Sequence, residues 1–348
     1  ILAQGLLLQR PARFSPKGGE GACSMERVRG LSCWNGEEIT IKATGDVRDE
    51  LQLGEGRTNQ NFIVSTKDDR YFVRIGADLP YYGVSRVREQ AAAGAAAVAG
   101  VSPPVFHVEP PDAMVVKFVP GRALTEADVH AAAAAGMGNP TMDAIIGVIK
   151  RLHAAPVPVE LSKMLEEIKG GVGWGGPHFA KWLAYAEELQ YSRLPVLNGV
   201  RALVERLEAA AKAGLPEATP LRLCHFDLLC DNFVLLNGSS EIVLVDFEYS
   251  APGQPFMDLA VLAMGCSLEP QEERNLLSAY LGGEASDRQV QSFLALKVLA
   301  ALRETFWGVT AELSQSSALT PAESEAYSDM NFAKFQEMLA SFDAREAA

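Results

Sequence analysis

Residues 225–246 constrain the fold of this chain more than any other stretch. They run His225-Phe226-Asp227-Leu228-Leu229-Cys230-Asp231-Asn232, then a short apolar run, a polar turn at Asn237-Gly238-Ser239-Ser240, a second apolar run and Asp246. Two apolar runs joined by a Gly-containing turn predict a hairpin-like pair of strands. Such a pair brings Asp227, Asn232 and Asp246 to one end of a small sheet. These residue types fit phosphoryl transfer. One carboxylate orients a hydroxyl and accepts its proton, while an amide oxygen and a second carboxylate hold Mg²⁺ on nucleotide phosphates.

The chain differs on the two sides of this segment. Upstream, Ile39-Thr40-Ile41-Lys42, Asn61-Phe62-Ile63-Val64-Ser65 and Tyr71-Phe72-Val73-Arg74-Ile75 read as an antiparallel meander, with its turn at Lys67-Asp68-Asp69-Arg70. The Ala-rich stretch 84–99 predicts a helix closed by Gly100 and blocked by Pro103-Pro104. A further strand pair is expected over Val105–Val108 and Met114–Val119. Pro120-Gly121 then punctuates the chain, and helices are expected near 125–135, 141–154, 178–190, 200–213, 256–266, 270–281, 287–313 and 321–344. The Gly-rich stretch 170–177 reads as a loop. The expected fold is α+β and bilobal. A small antiparallel-sheet N-lobe over 25–119 precedes a larger helical C-lobe over 120–348, with a nucleotide in the cleft between them.

The 348 residues suffice for two lobes, and the balance of 48% apolar and 22% charged residues is that of a soluble globular protein. A net charge of −13 argues against a nucleic-acid partner, which needs a basic footprint, and is compatible with a cationic small substrate. No apolar run approaches the roughly 20 residues that span a bilayer. Five cysteines with no metal-site spacing suit a reduced, cytoplasmic compartment. Cys224 and Cys230 stand on either side of Asp227 and read as small apolar filler. Residues 1–24 begin at Ile1, carry Arg10, Arg13 and Lys17 early, and read as a leader or non-native extension ahead of Met25.

The block from Cys224-His225-Phe226-Asp227 through Val245-Asp246-Phe247-Glu248-Tyr249 to Met257-Asp258 resembles the choline/ethanolamine kinase-like branch of the aminoglycoside phosphotransferase superfamily, which has a protein-kinase-like fold. The resemblance extends more thinly over about residues 28–340. It implies an ATP- and Mg²⁺-dependent kinase of a small-molecule alcohol. Asp227 matches the catalytic base, and Asn232 and Asp246 match the metal ligands. His225 reads as a brace of the loop. Glu248 reads either as an ion-pair partner or as a substrate or metal contact. Leu53 to Asn61 resembles the family's phosphate loop, which assigns Gly56, Thr58 and Asn59 to the nucleotide, with Glu55 standing where a glycine is usual. Arg74 matches the phosphate-binding cation and Glu89 its carboxylate partner, within Arg86-Val87-Arg88-Glu89. Lys117 and Val119 match the hinge whose backbone meets adenine. His153 in the Leu152-His153 helix end reads as structural.

The acceptor follows from the same resemblance. Ala301-Leu302-Arg303-Glu304-Thr305-Phe306-Trp307 resembles the helix that supplies an aromatic wall to a choline pocket, which assigns Trp307 to the substrate. Thr310 stands where a second Trp is usual, and Gly265 where an acid is usual. Glu304, Tyr185, Trp174, Trp182 and Tyr327 therefore enter as alternative pocket residues, each with core packing as its rival role. The expected acceptor is choline or a related amino alcohol. An aminoglycoside, thiamine or a sugar is the alternative, and a non-catalytic pseudokinase a third.

Overall fold

The computed structural model describes residues 20–45, 59–166, 174–215, 220–314 and 319–347. The phosphate-loop positions Gly56 and Thr58, and the Gly-rich residues 170–173, lie outside them.

Helix α1 (Glu20–Arg29) opens the described chain and runs across the boundary expected at residue 24. Strands β1 (Thr40–Ala43), β2 (Gln60–Ser65), β3 (Arg70–Ile75), β4 (Val105–Glu109) and β5 (Ala113–Lys117) form one antiparallel sheet in the order β1-β2-β3-β5-β4. Successive side chains on a strand point to opposite faces. Phe62 and Val64 on β2, Tyr71, Val73 and Ile75 on β3, and Ala113 and Val115 on β5 accordingly share a small core with Val28, Leu31 and Trp34. The alternate residues Asn61, Phe72, Arg74, Met114 and Val116 line a cleft on the other face. In register, Arg74 stands opposite Asn61 and Met114. Helix α2 (Arg86–Val98) follows β3, its first N–H held by Asp78 Oδ1 at 2.7 Å. Its buried face is Ala92, Ala93 and Ala96, small enough to let the helix approach closely.

The C-lobe is helical. It comprises α3 (Glu126–Ala135), α4 (Pro140–Ala154), α5 (Val159–Glu166), α6 (Gly176–Glu188), α7 (Val200–Ala213), α8 (Pro255–Gly265), α9 (Pro270–Leu281), α10 (Asp287–Ser314) and α11 (Pro321–Glu346). Thr125 and Asp128 close a capping box on α3, Asn139 Oδ1 accepts from two N–H groups at the start of α4, and Thr320 with Glu323 caps α11. Helix α8 is buried from Phe256 to Met264, and α10 packs against α6, α7, α8 and α11. This lobe also contains two small antiparallel sheets. One is β6 (Gly121–Ala123), β8 (Phe233–Leu236) and β9 (Ile242–Leu244), and the other pairs β7 (Arg222–Cys224) with β10 (Ala251–Gly253).

The expected hairpin is therefore β8–β9, with Phe233 opposite Leu244. Gly121 opens β6 because a Cβ there would stand 2.6 Å from Leu235 O. Helices α1 and α5, strand β6 and the β7–β10 ribbon have no counterpart in the sequence reading. Three-residue strands are too short to show a period, and Pro252 inside β10 argues against a strand. Strand β5 ends at Lys117, two residues short of the expected Val119, because the chain leaves the sheet at the crossover.

Candidate active site

Three short backbone segments come together at the edge of the cleft, and those carrying Asn232 and Asp246 line it, while Asp227 stands behind Asn232. The loop after β7 carries Asp227, the 3₁₀ turn Cys230–Asn232 carries Asn232, and the chain leaving β9 carries Asp246. Asn232 and Asp246 line the same cavity of about 190 Å³, against Arg74 and Asn61 from the N-lobe sheet. Asn232 Nδ2 donates to Asp227 O at 2.7 Å and Asp227 Oδ2 at 3.3 Å. Asn232 O accepts from Val245 N at 3.0 Å, so the turn is fixed to the segment that carries Asp246.

The loop is anchored from below. Phe226 has φ +62°, a conformation unfavourable for a bulky residue. It is held there because Asp258, buried in the first turn of α8, accepts from His225 N and Phe226 N, each at 2.8 Å. The Phe226 ring is fully buried, and a Cβ on Gly253 would stand 2.4 Å from it. His153 Nε2 is 2.9 Å from the same Asp258, and His225 Nε2 is 3.0 Å from Val245 O. Both histidines brace the fold, as expected. Asp246 has φ +69°, which Asp tolerates better than most residues and which turns its carboxylate out of the strand direction.

An ionic cluster joins the lobes at this point. Arg74 Nη1 donates to Glu89 Oε1 and, at 3.0 Å, to Asp246 Oδ1. Arg86 Nη1 donates to Glu89 Oε2 at 2.6 Å and Glu248 Oε2 at 3.2 Å, and Asn59 Nδ2 donates to the same Glu248 oxygen at 3.2 Å. Arg74, Glu89 and Asn59 thus come together, with Glu248 as an ion-pair partner buried in the cluster. Three carboxylates face two guanidinium groups, which leaves one acid in excess. Arg74 Nε and Arg86 Nη2 are buried donors with no partner among the described residues, which suits anionic oxygens.

The same crowding sets the protonation states. Burial pushes the Asp227 carboxyl well above its ordinary value, Glu304 adds to this, and Arg303 opposes it. Burial, together with the Asp246 charge, raises Glu248 to about 7. Burial also acts to raise Asp246, but the Arg74 charge and hydrogen bond outweigh it and hold Asp246 below its ordinary value. At the hinge, Lys117 N donates to Pro104 O at 2.9 Å, so any hydrogen bond from Lys117 to a base uses its carbonyl. Lys117 and Val119 both line the cleft. The Lys117 ammonium itself pairs with Asp69.

A group of aromatic side chains gathers around Trp307. Trp307 Nε1 donates to Tyr249 OH at 2.9 Å, and the Trp307 ring is 5.3 Å from Tyr82 and 5.0 Å from Tyr327. Tyr327 OH donates to Glu304 Oε2 at 3.0 Å, and Arg303 Nη1 donates to Glu304 Oε1 at 2.9 Å. The Arg303 guanidinium lies over Trp182 and Tyr249, 5.3 and 5.5 Å from the ring centres. Tyr327 and Glu304 therefore join Trp307. Trp182 is core, Tyr185 packs at a tilt against Tyr81, and Trp174 N donates to Glu208. Thr310 is fully buried and bonds the carbonyl of Phe306 in its own helix. Sequence reasoning missed Tyr82, the placing of Tyr249, and the role of Asp258 as anchor. Tyr249 and Asp258 stood inside the block that carried the resemblance, while nothing local marked Tyr82.

Residues 49–294 match the profile of the phosphotransferase enzyme family. The chain belongs to that family. A choline/ethanolamine kinase family protein from Mesorhizobium loti shares 25% identity over 92% of this chain and 94% of that one, with a TM-score of 0.65. Choline kinase LicA from Streptococcus pneumoniae shares the fold, with 19% identity over 91% of this chain and 99% of its own, and a TM-score of 0.64. Mouse ethanolamine kinase 1 is 26% identical over 140 residues, 34% of this chain and 39% of the mouse protein. The chain thus matches well under two thirds of that curated relative's length. The phosphotransferase profile covers Asp227, Asn232 and Asp246, with Tyr82 and Tyr249 of the aromatic group, but ends before Glu304, Trp307 and Tyr327.

Proposed function

We propose that the chain is an ATP-dependent kinase that transfers the γ-phosphoryl group to the hydroxyl of a small cationic alcohol of the choline or ethanolamine type. The observation that carries this reading is the position of Asp227. It is hydrogen-bonded to Asn232 on the cleft side and lies within the field of Glu304 on the aromatic side. A group so placed can take a proton from an acceptor seated between Trp307 and the cleft.

Asn232 and Asp246 fit a hard divalent cation. The Asn232 amide nitrogen is turned to Asp227, which leaves its oxygen for the ion, and the cluster has a carboxylate in excess. Mg²⁺ at these oxygens supplies charge neutralisation for the transferring phosphoryl group. Arg74, held by Glu89, offers its unpartnered Nε to phosphate oxygens, and Gly56, Thr58 and Asn59 keep their assignment to the nucleotide from the resemblance. Lys117 and Val119 offer backbone groups to the adenine edge. Asp227 orients the acceptor hydroxyl in line and accepts its proton. Trp307 with Tyr327 forms the wall for an ammonium group, with Glu304 as its counter-charge, and Glu248 supports the site through Arg86.

The test is ADP release by the purified chain with ATP and Mg²⁺ against choline, ethanolamine, an aminoglycoside, thiamine and a sugar. ADP formation above the acceptor-free rate is expected with choline or ethanolamine. A preference for one of the other acceptors keeps the chemistry and removes the substrate class. No turnover with any of them, together with binding of ATP, leaves the pseudokinase reading.

A further inference from the structure

We propose that Tyr82 is a specificity-determining residue of the acceptor site: its ring, carried over from the N-lobe, adds an aromatic face beside Trp307 and favours an N-methylated ammonium over a primary one. This role for Tyr82 rests on the reading of Trp307 as the acceptor wall given above. Tyr82 is 1% exposed, and its ring centre lies 5.3 Å from that of Trp307 at an angle of 44°. Tyr327 meets the same indole at 5.0 Å and 62°. Neither ring stacks flat on Trp307.

Tyr82 reaches the C-lobe because the chain between β3 and α2 folds into a tight strap. Leu79 and Val84 exchange N–H···O bonds, each 3.1 Å, and Tyr82 N donates to Leu79 O at 3.0 Å. Gly83 turns the chain with φ +70°, and a Cβ there would stand 2.8 Å from His178 Nδ1 on α6. The 3₁₀ turn Pro80–Tyr82 packs on α6 and α10, and the Tyr81 ring lies 5.2 Å from Tyr185. The strap is tied at its ends to the ionic cluster. Arg74 lies on β3 ahead of it. Arg86, just after it, donates from Nε to Ala77 O at 2.9 Å and from its backbone N to Asp78 Oδ1 at 2.7 Å.

The polar atoms around these rings are bonded to one another. Trp307 Nε1 donates to Tyr249 OH, Tyr327 OH donates to Glu304 Oε2, and Arg303 Nη1 donates to Glu304 Oε1. What the group offers a cation is therefore π surface and the charge of Glu304. An N-methylated ammonium is satisfied by these and needs no hydrogen-bond acceptor. A primary ammonium carries three N–H donors, each of which gives up water and needs an acceptor in its place. Each further ring face thus favours the methylated cation.

The experiment measures KM and kcat for choline and for ethanolamine, with ATP and Mg²⁺, in the parent chain, Tyr82→Phe and Tyr82→Leu. The parent should prefer choline. Tyr82→Leu should raise the KM for choline about fivefold, the order of one lost cation–π contact, and leave the KM values for ethanolamine and ATP in place. Tyr82→Phe, which restores the ring, should restore the preference. Loss of packing alone would lower the melting temperature and act on both acceptors alike. An equal change for both acceptors overturns the proposal, and so does an unchanged KM for choline in Tyr82→Leu or a parent that prefers ethanolamine. Trp307→Leu separates the two readings. If it raises the KM for choline and Tyr82→Leu does not, only the role of Tyr82 falls. If neither moves it, the assignment of Trp307 falls as well. Calorimetric titration with tetramethylammonium ion needs no turnover: binding should weaken about fivefold in Tyr82→Leu, and equal binding to parent and variant overturns the proposal. Should Tyr82→Leu fail to fold, pentafluorophenylalanine at position 82 keeps the shape of the ring and reverses its electrostatics, and the same losses are expected.

Discussion

Asp227 meets two opposing demands. It is buried enough to lose the competition of bulk water for its hydrogen bonds, and burial among acids raises the cost of its charge. Arg303 answers the second demand, because its guanidinium sits over Tyr249 and Trp182 and pairs with Glu304. Asp227→Asn keeps the hydrogen bond to Asn232 and removes the proton acceptor. Its kcat should fall by about 10²–10⁴-fold, while the melting temperature and the ATP-induced thermal shift stay close to the parent values. A variant with parental turnover removes Asp227 from the chemistry. Glu304→Gln probes the acceptor side. It keeps a partner for Tyr327 and Arg303 but loses the charge proposed to face an ammonium group. The KM for the amino alcohol should rise about tenfold, equivalent to about 1.4 kcal/mol, with kcat little changed. A fall in kcat at constant KM would instead make Glu304 a support of Asp227.

At the scale of elements, the parts visible in the sequence are those whose signal is local. The helices were legible because an apolar period is bounded by Asn139-Pro140, Gln254-Pro255 or Thr320-Pro321 at the start and by residues such as Gly100 or Gly282 at the end. Asp227, Asn232 and Asp246 were legible as a group because they flank one hairpin, the first two ahead of β8 and the third after β9. What stayed hidden depends on partners far away in the chain. Strand β6 exists through Gly121 facing Leu236, β10 through Ala251 facing Cys224, and the wall around Trp307 draws Tyr82, Tyr249 and Tyr327 from three other elements. The tie between α1 and β4 is of the same kind. Arg27 Nη1 donates to Glu109 Oε1 at 2.5 Å, and Ser32 N and Oγ donate to Glu109 Oε2. The Arg27 guanidinium and these donors hold the Glu109 carboxyl well below its ordinary value. A depressed carboxyl adds stability above its unfolded pKa of about 4.3 and loses it as the pH falls towards the folded value. Glu109→Gln should therefore lower stability near neutral pH by about 1 kcal/mol or less, as partly solvated pairs do. The difference from the parent should close below about pH 4. Melting curves across pH 3–7 check this, and a gap that widens in acid contradicts it.

The whole molecule is held as two lobes by the charges that would handle a nucleotide. Arg74 and Arg86 belong to the N-lobe, while Asp246 and Glu248 belong to the chain leaving β9, and their contacts cross the cleft. Without a ligand, Asp246 is engaged by Arg74, so a cation that binds Asp246 competes with that contact and frees Arg74 for phosphate. The local excess of acid, in a chain whose net charge is already −13, opposes entry of a bare triphosphate. ATP with Mg²⁺ should therefore stabilise the protein far more than ATP with a chelator or Mg²⁺ alone. At a hundredfold excess over Kd the gain is about 2.7 kcal/mol, read as a rise in melting temperature. Asp246→Asn should remove most of the difference that Mg²⁺ makes, because the cation loses its charged ligand while Arg74 remains for the phosphates. Asp227→Asn should leave that difference in place, because Asp227 is assigned to the acceptor and not to the metal. An equal shift by ATP with and without Mg²⁺ in the parent chain would mean that Asn232 and Asp246 hold no cation. The ionic cluster would then serve only to join the lobes.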